Sequence, residues 1–583
     1  MSPLIDPRCG DVEDDASATK QRSLLAMAGS LLAEISLPKL AVAWLLLIVL
    51  PGILLGLAPL LAIGWLSSLS RRIAMSWTGF WPLVVLALVL GLGWIGGRPL
   101  LRAAEQGFWS LNSLAVQPGY ALCREAMRHL AELALGARIG PDGRARLRAA
   151  SAAGAGILLC AIALLFVWLA WPLSRWSGSM ADLTTPLRLV VPALANTVVL
   201  VGAYLAAASL AWGVADATMD QPRDLAAFDT LPADSGAPHR VRRVVHLSDI
   251  HIVGERYGFR IESGRGGPRG NDRLARLMAR LQAIHEERPL DFVLITGDMT
   301  DAGRSAEWAE FFTALAPYPD LARRMLILPG NHDLNVVDRA NPARLDLPTS
   351  PGRRLRQMRT LSAMEAVQGD RVRVVDLSAW KLGGTLSEAL EPHRSDIAAF
   401  ADTGSLRRSL RLEPLFAGVF PMVLPPDGEE GLGILLLNSN AETHFSFTNA
   451  LGLVSAEQAL AVAAIMREFP RASWIVALHH HLVEYPNPAK AFSERIGTAL
   501  INGTWFVRQL QGWGERAVVM HGHRHIDWIG NCGALRIVSA PSPVMDATDA
   551  QTTRFYIHNL VAQSGRLRLL TPETVELPGE GGG

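Results

Sequence analysis

Five short polar clusters in the second half of this 583-residue chain carry side chains of the kinds that can hold divalent cations. They are Asp249-Ile250-His251, Gly297-Asp298, Gly330-Asn331-His332-Asp333, His479-His480-His481 and Gly522-His523-Arg524-His525. Two cations held about 3.5–4 Å apart polarise a phosphoryl group and generate hydroxide at neutral pH. Holding them takes one anionic oxygen that bridges and several neutral or anionic ligands around each ion. Asp298 suits the bridge, and Gly297 before it lets the backbone turn tightly. The Asp-x-His spacing of Asp249 and His251 lets two side chains of an extended segment point the same way. His523 and His525 repeat that alternation with imidazoles, and Asn331 offers a neutral amide oxygen. Alone, each piece is common in turns. In this order, each after an apolar run, they form a set.

Those runs, Val244–Leu247, Phe292–Thr296, Met325–Leu328, Trp474–Leu478 and Ala517–Met520, read as buried strands, and strand ends are where an α/β sheet gathers a site. Helical periodicity fills the gaps. Leu274, Leu277, Met278, Leu281 and Ile284 share one face of a helix over 272–286, with Asn271 as its cap. A second helix spans 305–315, with Trp308, Phe311, Phe312 and Leu315 inward. Ser455-Ala456-Glu457-Gln458 fits a capping box ahead of a third. Strand–helix–strand succession predicts parallel pairing, and the end turns β-rich at 535–539, 554–560 and 567–570. Two regions break the alternation: the Gly- and Arg-rich 254–270, and an insertion at 334–431 with little strand character, which suits a lid or pocket wall.

The first half is different. Half of the chain is hydrophobic and mean hydropathy is +0.22, with the excess concentrated in 40–215. A bilayer-crossing helix needs about 20 apolar residues, and Leu40–Leu69, Ile73–Gly97, Ala149–Ser174 and Leu189–Ala215 qualify. The expected organisation is a cytoplasmic segment 1–39, a four-helix membrane domain 40–215, a Pro-rich linker 216–240, a catalytic domain 241–575 and a tail 576–583. Arginines crowd the second loop (Arg98, Arg102, Arg124, Arg128, Arg138, Arg144, Arg146 and Arg148), which places it, both termini and the catalytic half on the cytoplasmic side of a bacterial-type plasma membrane. A helix near 119–135 carries Leu122, Met127, Leu130 and Leu133 on one face, for a membrane surface or for packing on the soluble half. Gly154, Ala155 and Gly156 suit close helix packing in lipid, and Asn196 and Thr197 read as glue between helices. A net charge of +1 and no basic stripe with stacking aromatics argue against a nucleic-acid partner. Cys9, Cys123, Cys160 and Cys532 match neither a zinc site nor a disulfide framework.

The clusters resemble the calcineurin-like metallophosphoesterase superfamily, with its D-x-H, G-D, G-N-H-[DE], H and G-H-x-H series. Val245–His251, Ile295–Asp301 and Ile327–Asp333 are most similar to its bacterial class III cyclic-nucleotide phosphodiesterase-like branch. The likeness covers about 241–560. It implies an α/β fold, a two-sheet mixed β sandwich flanked by helices, here preceded by the four-helix α transmembrane domain. It implies a first metal on Asp249, His251, Asp298 and His525 and a second on Asp298, Asn331, His479 and His523. His332 would meet the phosphate, with Asp333 nearby. Three histidines are adjacent where the family has one ligand; His479 is chosen as the first after the strand, with His480 the alternative. His521 reads as a supporting residue, and His393 and His444 as rim histidines. The implied cofactors are two divalent ions from among Mn, Fe, Zn and Mg, and the implied partners are a phosphate-ester substrate and the bilayer. The expected function is a membrane-anchored phosphodiesterase. Alternatives are hydrolysis of a phospholipid or nucleotide-linked lipid headgroup, and a receptor or scaffold without turnover. Arg256, Arg260, Arg265 and Arg269, and Arg353, Arg354, Arg356 and Arg359, are candidates to hold further phosphate oxygens or anionic lipid.

Overall fold

In a computed structural model the described residues are 45, 49–75, 84, 87, 91, 116–135, 141–177, 185–231, 240–255, 258–261, 269–338, 344, 346, 351–443, 446–486, 500–545, 548 and 550–579. The chain forms two compact units, one comprising Ile35–Met219 and one that includes Asp220–Gly583.

Among the described residues the first unit is helical: α1 (Leu50–Met75), α2 (Gln117–Leu135), α3 (Pro141–Ala170) and α4 (Val190–Ala217). Three segments, Leu50–Ser67, Arg146–Leu173 and Leu187–Ala217, are long and apolar enough to cross a bilayer. The other expected span, 73–97, lies almost wholly outside the described residues. Helix α1 runs on through Arg71 and Arg72, which the hydropathy pattern puts in a loop. Small residues let α3 and α4 touch: a Cβ on Gly156 would lie 3.0 Å from the Cα of Gly213, the packing that lipid-embedded helices favour. A Cβ on Gly154 would instead lie 3.2 Å from the Met127 sulfur of α2. Asn196 Nδ2 donates to the carbonyls of Gly56 at 3.0 Å and Arg175 at 2.7 Å, and the Thr197 hydroxyl donates to that of Gly52. Helix α2 departs from its expected polarity. Leu122 and Leu130 are exposed, whereas Tyr120, Glu125 and Arg128 are buried; the Leu133 side chain lies outside the described residues. The reason is Asp216 on α4, which accepts from Arg124 at 2.6 Å and from the Tyr120 hydroxyl at 3.0 Å.

In the second unit the strands are β1 (Pro222–Asp224), β2 (Arg242–Leu247), β3 (Phe292–Ile295), β4 (Met325–Ile327), β5 (Arg373–Asp376), β6 (Lys381–Thr385), β7 (Met422–Leu424), β8 (Leu432–Leu436), β9 (Ser473–Ala477), β10 (Ala517–His521), β11 (Trp528–Cys532), β12 (Leu535–Ser539), β13 (Thr553–Gln563), β14 (Arg566–Leu569) and β15 (Glu573–Leu577). They make two mixed sheets. Among the described residues one has nine strands in the order β1-β11-β12-β10-β9-β8-β7-β5-β6, and the other has six, in the order β14-β13-β2-β3-β4 with β15 on β13. The middle of each is parallel: Val244 opposite Phe292 and Val293 opposite Met325 in the smaller, Ile434 opposite Ile475 and Val518 opposite Ile475 in the larger. Parallel neighbours align their carboxyl ends, so the loops after β2, β3 and β4 share one rim, as do those after β9 and β10. Helices α5 (Asp272–Glu287), α6 (Ser305–Leu315), α7 (Asn331–Leu334), α8 (Pro351–Gln368) and α9 (Ala456–Glu468) join these strands. Leu277 and Leu281 of α5 and Trp308 of α6 are fully buried in the main core.

Three local readings change. Asn271 stands at the start of α5, but its side chain bonds the Val253 N–H at 3.1 Å and carbonyl at 2.7 Å, tying down the loop after the first cluster instead of capping the helix. The 334–431 insertion contributes β5, β6 and β7, which extend the larger sheet through β7 on β8. Its strands are short and adjoin glycines or loops, so no period-2 pattern marks them. Within the linker, β1 pairs antiparallel with β11 from Pro222–Cys532 to Asp224–Gly530. Strand β15 likewise carries the sheet through Leu577, into the expected tail.

Candidate metal centre

Each ligand-type residue stands just beyond a strand of a parallel core: Asp249 and His251 after β2, Asp298 after β3, Asn331 after β4, His479 after β9, and His523 and His525 after β10. The extended Asp-x-His geometry expected from alternation is not what the chain adopts. Asp249, His251, Asp298, His523 and His525 all have positive φ, at 55°, 48°, 51°, 73° and 51°. Left-handed backbone costs about 1–2 kcal/mol per non-glycine residue, and such residues gather at functional sites where surroundings over-determine them. Here the loops are laced together: Asp249 N–H donates to the Gly297 carbonyl at 3.1 Å, His251 N–H to that of Asp298 at 2.9 Å, and Gly522 N–H to that of His479 at 3.1 Å. Gly297, at φ 99°, has no room for a side chain, since a Cβ would lie 2.5 Å from His479 Nδ1.

Three overlapping groups of possible ligand atoms result: Asp249, His251 and His525; His251, Asp298 and His332; and Asp298, His479 and His523. Asp298 lies at the middle, its Oδ2 at 3.2 Å from His479 Nε2 and 3.7 Å from His251 Nε2. His525 Nε2 is 3.3 Å from Asp249 Oδ1. Asn331 Oδ1 and His523 Nδ1 lie 3.1 Å and 3.0 Å from His479 Nε2. Of the adjacent histidines, His479 joins the cluster. His480 turns back to Ser439, whose Oγ lies 2.9 Å from its Nδ1.

The electrostatics fit a cation. His479 Nδ1 lies 2.8 Å from the Thr296 carbonyl, which only accepts, so Nδ1 carries a proton and Nε2 faces the cluster. Nε2 meets a carboxylate oxygen, an amide oxygen and a second imidazole nitrogen within 3.2 Å. Acceptors so placed need a positive charge between them. Burial works against charge on His479, yet Asp298 outweighs it and raises the imidazole to about 9. Burial likewise opposes charge on Asp298, but His479, His332 and His251 hold it well below the ordinary carboxylate range. Asp249 Oδ1 and His251 Nε2 are buried without a hydrogen-bond partner, as ligand atoms for an ion would be.

The remaining candidates separate. His332 N–H donates to Asp298 Oδ1 at 2.8 Å, and its Nδ1 donates to the Asp301 carbonyl at 2.7 Å, leaving Nε2 for the cluster. Asp333 is taken up by backbone: Oδ1 accepts from Thr300 N–H at 2.9 Å and hydroxyl at 2.6 Å, and Oδ2 from Gly330 N–H at 2.9 Å. Burial, with Asp298 nearby, pushes Asp333 up to about 6. His521 is buried outside the three groups, and His393 is half-buried. The candidate arginines among the described residues do not line up as phosphate holders. Arg260 is fully buried and donates to the His251 and Gly270 carbonyls at 2.8 and 2.7 Å. Arg356 is buried against Asp346 and the Leu334 carbonyl, and Arg359 is buried near the Gly303 carbonyl. Arg353 pairs with Glu442, Arg354 with Gln357, and Arg269 lies over Phe259. Arg256, Arg265 and His444 lie outside the described residues. Sequence reasoning gave no role to Ser248, Ser439 or Asp301. Ser439 Oγ accepts from His479 N–H at 3.2 Å, and Asp301 Oδ1 lies 3.3 Å from His251 Nδ1. The only sequence signal is their position within three residues of a cluster or strand end.

Residues 242–387 match the calcineurin-like phosphoesterase family, so the second unit carries a calcineurin-like metallophosphoesterase domain. No curated protein sequence matches this chain. Solved structures similar to it include a dimetal phosphatase from Danio rerio, at 12% identity and TM-score 0.33, covering 58% of this chain and 99% of that one. A sulfate thiohydrolase, SoxB, from Thermus thermophilus is similar at 12% identity and TM-score 0.27, covering 60% of this chain and 58% of that one. A purple acid phosphatase from yellow lupin (Lupinus luteus) is similar at 13% identity and TM-score 0.27, covering 58% of this chain and 54% of that one.

Proposed function

We propose that this chain is a membrane-anchored, dimetal-dependent phosphohydrolase that cleaves a phosphodiester. The observation that carries the reading is the convergence of ligand-type atoms around Asp298 Oδ2 from residues as far apart in sequence as His251 and His479. In this reading Asp249, His251, Asp298 and His525 would hold one divalent ion and Asp298, Asn331, His479 and His523 the other, with Asp298 common to both sets. Bound there, such a pair polarises the phosphoryl oxygens and supplies hydroxide at neutral pH.

The chain's own residues then do the rest. His332, fixed by the Asp301 carbonyl, presents Nε2 to the reacting group and, when protonated, hands its proton to the departing oxygen. Asp333 acts through the backbone. By gripping Thr300 and Gly330, it keeps the turns that carry Asp298 and Asn331 in register. The three apolar helices tether the site to a bacterial-type plasma membrane, with the arginine-rich stretch before the third expected span on the cytoplasmic side. That tether also supports a second reading, in which the phosphodiester belongs to a lipid headgroup.

The test is the purified full-length chain in detergent micelles with added Mn2+ and an artificial phosphodiester. Turnover that requires Mn2+, with about two ions bound per chain, is expected; metal-free protein of equal activity, or none at any metal loading, overturns the reading. In mixed micelles, a preference for a lipid phosphodiester over cyclic nucleotides by orders of magnitude selects the second reading.

A further inference from the structure

Between His523 and His525 stands Arg524, whose side chain is only 5% exposed. Its Nη1 donates to Glu484 Oε2 at 3.3 Å, and its guanidinium carbon lies 5.6 Å from the centre of the Tyr485 ring. Tyr485 is itself fixed, its hydroxyl 2.8 Å from Ser539 Oγ at the end of β12 and its ring edge-on to Trp528 of β11. The other oxygen of Glu484 is 3.6 Å from His481 Nε2, and His481 lies parallel to His523 with ring centres 6.1 Å apart. The loop after β9 therefore grips the one side chain that separates two residues with φ of 73° and 51°.

Two left-handed residues flanking a third need more than local backbone bonds to persist. The turn has Arg524 N–H on the Gly522 carbonyl and His523 N–H on Asp249 Oδ2, each at 2.9 Å. The first is internal to the turn, and the second ties it to Asp249 of the ligand cluster. Arg524 adds a hold from the loop after β9, and a guanidinium suits it because it pairs with a carboxylate and lies on an aromatic face at once.

We propose that Arg524, clamped by Glu484 and Tyr485, is a positioning residue that keeps His523 and His525 in ion-ready geometry, so that metal affinity depends on it. The inference rests on reading those histidines as metal ligands. The test uses the full-length protein in micelles, loaded with Mn2+ and stripped with graded chelator while bound ions are counted. Arg524→Ala and the near-isosteric Glu484→Gln should each weaken retention about tenfold or more. The double variant should be no worse than the weaker single, because the residues act as one unit. Arg524→Lys, which keeps the charge without the planar face, should recover part of the loss. At saturating Mn2+, the spin-coupled signal of the ion pair should return to its wild-type form in every variant that folds. Wild-type retention in Glu484→Gln, or strictly additive losses, overturns the clamp even if Arg524→Ala does not fold. A wild-type protein that holds no Mn2+ overturns the metal reading and the clamp with it.

Discussion

The two sheets of the second unit bring different chemistry to their common rim. Asp249, His251, Asp298, Asn331 and His332 come from the six-stranded sheet, whereas His479, His523 and His525 come from the nine-stranded one. All the oxygen donors thus sit on one side, and most of the imidazoles on the other. Of the three ligand groups, only His251, Asp298 and His332 come from one sheet; the other two draw on both. Apart, the carboxylates would be left as a buried negative cluster, and the histidines as an array with little charge to hold an ion. The difference teaches that this centre is a product of sheet-on-sheet packing, and that its assembly is inseparable from the core between them.

The strongest way to break that comparison is to remove the residue both sides share. Asp298→Ala should release both ions and lower turnover about a thousandfold or more, since metal polarisation supplies several kcal/mol. His525→Ala should release one ion and keep the other. Metal counting on the purified variants checks both, and wild-type stoichiometry in Asp298→Ala would remove the bridge. Next in size, His332→Ala should keep both ions and lose about 100- to 10,000-fold in turnover, the range for a proton donor.

A smaller effect tests the far edge of the larger sheet. A fragment starting at residue 220 keeps β1, the bond from Trp528 Nε1 to Asp224 at 2.9 Å and the Arg536–Asp229 pair at 2.6 Å. A fragment starting at 235 loses them and should be less stable by about 2–4 kcal/mol, at roughly 1 kcal/mol per hydrogen bond. Equal urea midpoints would show β1 to be a passive cover.

The smallest effect concerns pH. His558 on β13 of the smaller sheet is pushed by burial from its ordinary 6.5 to about 4. Between those values the unfolded chain binds the proton and the folded chain does not. Stability should therefore fall as pH drops from 6.5 towards 4, by about 3 kcal/mol at most, and this contribution should flatten below. His558→Gln should remove that part of the slope in urea midpoints measured against pH. His521, on β10 of the larger sheet, is pushed to about 3 by burial and should leave a similar slope behind.

Much of this was legible before folding. The helix expected over 305–315 is Ser305–Leu315, and the strand expected over 535–539 is Leu535–Ser539. Ser455 caps α9 by accepting from Gln458 N–H at 3.2 Å. These features are local: periodicity and capping act within a few residues. The ligand candidates were legible for the same reason, because each directly follows a strand of the parallel core.

What the sequence by itself determined is which residue types stand at strand ends, and hence the chemistry on offer. Only the tertiary structure decided that His479 rather than His480 faces Asp298, that Asp333 is taken up by two turns, and that Arg260 and Arg356 are buried ties rather than phosphate holders. It also decided that β1 and the strands of the insertion join the larger sheet, and that α2 turns its charges inward towards Asp216. Each of those outcomes depends on partners tens to hundreds of residues away. A side chain's neighbours across a core are set by packing and hydrogen-bond satisfaction over the whole fold, which no local pattern encodes.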